Sequence, residues 1–93
     1  MYLMSAEKLQ PASDSFTNDM VQRNLVLFND NVNTFDFVIQ SLIEVCNHEP
    51  SQAEQCALIA HYKGKCTVKT GDYYEMKPPH DEMILRGLTV AIE

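Results

Sequence analysis

Apolar and polar positions along this chain follow different rhythms, and each rhythm predicts an element. "NLVLF", from Asn24 to Phe28, is a short unbroken apolar run of β-favouring residues, which predicts a strand. A polar loop follows. Then Phe35, Val38, Ile39, Leu42 and Cys46 recur on one helical face, which predicts a helix. Asn33 or Thr34 can cap its first N–H groups, and Asp36 suits the positive end of its dipole. "NHEPSQAEQ" interrupts the pattern. Ser51 with Glu54 three positions on has the spacing of a capping box, so a second helix is expected from there to about Tyr62, with Gly64 as its stop.

"KCTVKT" places Cys66 and Val68 on one side of a second strand. "YYEMKPPHDEMILRG" predicts a third helix, but Pro78 and Pro79 point to a division into two short pieces, the second starting near Pro79. Gly87 ends it, and Leu88, Val90 and Ile92 alternate with Thr89 and Ala91 in a third strand. The expected fold is α+β: a small single domain in the order β-α-α-β-α-β, with helices packed on one face of a three-stranded sheet. Residues 1–22 are polar with no sustained period, so a flexible N-terminal extension is expected there and the domain over 23–93.

Ninety-three residues bound this to one domain with a thin core. A formal net charge of −6 argues against nucleic acid and anionic membranes, which need clustered Lys and Arg, and favours a cationic ligand group or a basic partner. Three cysteines, Cys46, Cys56 and Cys66, make no disulfide framework. The start, "MYLMSAEKLQ", has neither a basic nor an apolar leader segment, and no run is long enough to span a bilayer. A reduced, cytoplasmic setting is expected. Cys46, His48, His61, Cys66 and His80 match no strong zinc spacing, so no metal is expected, and with only three glycines no phosphate loop and no cofactor.

The loop between the first strand and helix holds Asn29, Asp30, Asn31 and Asn33, more amide and acid groups than a turn needs. Taken alone they read as turn and cap residues, His61 as a cation at a helix end, and Ala57 and Ala60 as close helix packing. Taken together, "LVLFNDN", "FDFVIQSL", "AHYKGKC" and "GLTVAIE" resemble the ClpS adaptors, in order from Asn24 to Glu93. That family implies an adaptor with no catalysis of its own. It binds substrates with a large hydrophobic N-terminal residue (Leu, Phe, Tyr or Trp) and delivers them to a ClpA- or ClpC-type AAA+ unfoldase coupled to the ClpP protease.

The resemblance implies that Asn29, Asp30 and His61 bind the substrate's α-amino group. That group has three donors and a positive charge, so it wants acceptors and negative potential. The resemblance likewise implies a hydrophobic pocket walled by Asn33, Phe35, Val38, Ala57, Ala60 and Leu88. Helical spacing agrees, with Phe35 and Val38 at i, i+3 and Ala57, Ala60 and His61 at i, i+3, i+4. The sequence departs from the family pattern where Asn31 replaces a second Asp, Asn33 a Thr, Phe35 a Met, and Ala57 and Ala60 a Met and a Val. The stretch after Val68 is shorter, and Glu75 and Lys77 are the candidate unfoldase-docking residues. The alternatives are an interaction module that docks on an AAA+ N-domain or another partner without reading N-termini, and, more remotely, a hydrolase using Cys66 and His61.

Overall fold

The computed structural model describes residues 21–93. The extension expected over residues 1–22 lies, but for its last two residues, outside them. The elements run β1 (Arg23–Phe28), α1 (Phe35–Cys46), α2 (Pro50–Lys63), β2 (Lys65–Gly71), α3 (Tyr73–Leu85) and β3 (Val90–Ile92). The sheet has the order β2-β1-β3, and β1 is antiparallel to both neighbours. The fold is the expected α+β arrangement.

Register explains where the core lies. Leu27 sits opposite Cys66 on one side and Val90 on the other, and Leu25 opposite Ile92. Cross-strand partners share a face, so these residues present one apolar surface. Leu42 and Cys46 of α1, Ala53, Cys56 and Ala60 of α2, and Met76 and Met83 of α3 close over it. Between Leu25 and Val26 the pairing on β2 jumps from Lys69 to Thr67, so Val68 is an extra, bulged residue. Buried His48 donates its Nε2–H to the Val68 carbonyl at 2.7 Å, which satisfies an acceptor the ladder has released.

The helix ends follow local chemistry. The Thr34 hydroxyl accepts from Phe37 N at 3.1 Å and caps α1, which ends on Asn47 in the left-handed region. Helix α2 starts earlier than the expected Ser51–Glu54 box. Pro50 takes the first helical position, where its missing N–H costs nothing, so Glu49 becomes the cap and its N–H donates to Gln52 Oε1. Gly64, at φ +95°, stops α2.

Helix α3 is one continuous helix, not two pieces. Its N-terminus is held by a reciprocal box in which Asp72 Oδ1 accepts from Glu75 N and Glu75 Oε1 accepts from Asp72 N. Pro78 and Pro79 supply no N–H to the helical ladder, and the turn they would have bonded is exposed to water at Tyr74 and Glu75. Met76 and Met83, fully buried on either side of the prolines, hold the segment together. Lys77 also spans them to reach Asp81 at 2.7 Å.

Burial pushes the Cys46 thiol up to about 11, with Lys69 opposing. Burial, together with contact with the Cys66 thiol, pushes Cys56 up to about 12. Cys66 itself is half-buried. Iodoacetamide at neutral pH is therefore expected to modify Cys66 first, with Cys46 and Cys56 slower by about a hundredfold or more until the chain is denatured. Peptide mass spectrometry over a time course checks this. Equal rates for all three thiols would contradict the packing of α1 and α2 against β2.

Candidate functional site

The loop after β1 is tied down at both ends. Asn29 N donates to the Gly64 carbonyl at 2.9 Å, which sets the loop beside the exit of α2. Asn33 Nδ2 donates to the Gly87 carbonyl at 3.0 Å, which ties its far end to the turn before β3. Asp30 organises what lies between. Its Oδ1 accepts from Val32 N and Asn33 N, both at 2.9 Å, and its Oδ2 from Asn33 Nδ2 at 3.0 Å. Desolvation raises the Asp30 pKa, but the hydrogen bonds from Asn33, Val32 and Thr89 outweigh it and hold the carboxyl below its ordinary value. Asp30 therefore carries its charge with both carboxylate oxygens already accepting bonds within the loop.

Between this loop, α1 and α2 opens a cavity of about 480 Å³. Eight of the nine residues expected at the site line it: Asn29, Asp30 and His61, and then Asn33, Phe35, Val38, Ala57 and Ala60. Leu88 does not. It is buried in the core cluster behind the loop, where it packs with the sheet and α3. Ala57 and Ala60 are buried, and their small side chains leave the floor open. Among the described residues, the side chains of Asn29 and Asn31 and the ring nitrogens of His61 have no hydrogen-bond partner.

Leu27, Phe28, Asn31, Leu58 and Tyr62 also line the cavity and were not expected there as site residues. Helical spacing could have shown two of them. Leu58 and Tyr62 stand at i and i+4 around His61, one ridge outward from Ala57 and Ala60. The Tyr62 ring packs edge-to-face on His61, with centroids 4.9 Å apart at 79°.

Chemically, the site offers a carbonyl oxygen (Asn29), an imidazole (His61), a nearby fixed negative charge (Asp30) and an apolar recess. That set suits a ligand with a cationic donor next to a greasy side chain. Cys66, whose Sγ lies 3.5 Å from Thr67 O, does not line the cavity. Among the described residues no three His, Cys, Asp or Glu side chains converge to hold a metal ion. Nor is any helix there long and apolar enough to cross a membrane.

The family model described as ATP-dependent Clp protease adaptor protein ClpS matches residues 19–87. No curated protein matches the sequence. The fold is similar to that of Agrobacterium tumefaciens ClpS2 bound to L-phenylalaninamide. The TM-score is 0.70, covering 80% of this chain and 96% of that one at 20% sequence identity, a level at which the likeness speaks for the fold.

Proposed function

Because this chain belongs to the ClpS family of ATP-dependent Clp protease adaptors, we propose that it binds proteins through a bulky hydrophobic N-terminal residue and hands them to a ClpA- or ClpC-type unfoldase in the cytoplasm, without catalysis of its own. The observation that carries this reading is the juxtaposition in one cavity of two unengaged polar groups, Asn29 and His61, with a recess floored by Ala57 and Ala60. L-phenylalaninamide, the ligand of the similar Agrobacterium ClpS2, has both matching features: a free α-amine and a large apolar side chain.

The division of labour follows from which groups are free. An α-ammonium donates to Asn29 Oδ1 and to an unprotonated nitrogen of His61. Asp30, its oxygens engaged within the loop, attracts the ammonium by charge and shapes the rim between Asn29 and Asn33. The side chain enters the recess beside Phe35 and Val38. Charge-assisted hydrogen bonds contribute about 1.5–3 kcal/mol each and burial of one large apolar side chain about 1.5–3 kcal/mol. Two such bonds and one side chain approach the roughly 8 kcal/mol of micromolar binding, before ordering costs. Of the two candidate docking residues, Glu75 is engaged in the α3 capping box and Lys77 with Asp81. A role for either at the unfoldase would need those pairs to open or to be shared.

Amine dependence is the test. A peptide beginning with Phe, Leu or Tyr is expected to bind, and N-acetylation to weaken it by about tenfold or more, because the charge and its donors are lost together. Fluorescence anisotropy with matched free and acetylated peptides measures this. Equal affinities would remove the amine-reading function and leave an interaction module that docks by another surface.

A further inference from the structure

One N-terminal side chain and one ammonium leave part of the cavity wall unused. Along α2, Ala57 and Ala60 are buried at the floor, while Leu58 is 40% exposed and Tyr62 77% exposed, and all four line the same cavity. Leu58 and Tyr62 stand at i and i+4 and so form one ridge. His61 lies beside that ridge, with the Tyr62 ring packed edge-on against it. Two large apolar side chains are thus held in water next to the group assigned to the amine, where they fill no part of the core.

We propose that Leu58 and Tyr62 form a second subsite, which takes the side chain of the substrate's second residue and favours an apolar one. The inference rests on the amine-reading function above. With the ammonium held at Asn29 and His61 and the first side chain in the recess, the first Cα is pinned at the rim. The second Cα then lies about 3.8 Å further along the chain, within reach of the ring packed on His61 and of Leu58 one turn away. The ridge offers carbon surface, so it selects by apolar area.

The test compares two otherwise identical peptides, one beginning Phe-Leu and the other Phe-Gly, titrated into the full chain. Phe-Leu is expected to bind on the order of fivefold more tightly, the effect of partly covering one apolar side chain. In Tyr62→Ala and in Leu58→Ser the ratio of the two affinities is expected to fall towards one. The ratio is the readout because any effect of a substitution on the shared first residue cancels. A ratio of one in the unsubstituted protein, or a ratio unchanged by both substitutions, would overturn the subsite and leave the amine-reading function standing. Failure of both peptides to bind, or equal binding after acetylation, would overturn both.

Discussion

Asp30→Ala is expected to weaken binding of a Phe-initiated peptide by about 2 kcal/mol or more, on the order of thirtyfold. Two losses combine. The negative charge nearest the ammonium disappears. The loop also loses the acceptor for Val32 N, Asn33 N and Asn33 Nδ2, the bonds that shape the cavity rim next to Asn29. Asp30→Asn separates them, because an amide oxygen can still accept from the two backbone N–H groups although the charge is gone. Its NH2 must meet that of Asn33, so part of the loop is disturbed even then. An intermediate affinity for the asparagine variant is the expected result. Normal affinity in the alanine variant would reduce Asp30 to a turn residue with no bearing on the ligand. The sign of the pH effect follows from the lowered carboxyl pKa. Because the folded value lies below the unfolded one, the loop's gain from ionised Asp30 is complete above the ordinary carboxylate range and disappears as pH falls through the depressed folded value.

The second large effect falls on stability. Leu42→Ala is expected to cost about 2–5 kcal/mol, the range for emptying a fully buried leucine site. Leu42 is 0% exposed and lies in α1 between Cys46 and Val38, in the cluster that also holds Leu25, Leu27 and Met83. Its carbonyl accepts from Asn47 N and His48 N at the end of the helix, and alanine keeps that carbonyl and favours the helix. The loss therefore reports packing alone. Against a total of about 5–15 kcal/mol for a domain of this kind, thermal melting should fall by roughly 10 °C or more. A change of a degree or two would mean that the helices do not close over the sheet as described.

The parts of the fold that read correctly from the sequence are those where a local signal and the tertiary environment agree. The Leu25–Leu27 run, the Phe35–Cys46 helical face and the glycine stops at Gly64 and Gly87 each carry their own physical reason. Pro78 and Pro79 did not, because the propensity against a continuous helix is outweighed by burial of Met76 and Met83, a term no local window contains. The bulge at Val68 depends on pairing with β1 and on buried His48, neither of which is adjacent in sequence. At the site, spacing on α1 and α2 brings Phe35, Val38, Ala57, Ala60 and His61 to one cavity. Leu88 fell outside because it lies in the turn before β3, where its N–H donates to the Met83 carbonyl and its side chain is buried in the core, a placement that strand alternation does not fix. The inward bonds of Asp30 were hidden for another reason: whether a carboxylate faces a ligand or its own backbone depends on loop geometry, and the residue type alone permits both.

The cavity loop is pinned by the carbonyls of Gly64 and Gly87, and the second of these bonds joins residues 54 positions apart. Neither anchor belongs to the loop's own stretch of chain, so its shape is set by the end of α2 and by the turn before β3 together. A substitution that frays either neighbour would slacken the loop without touching it.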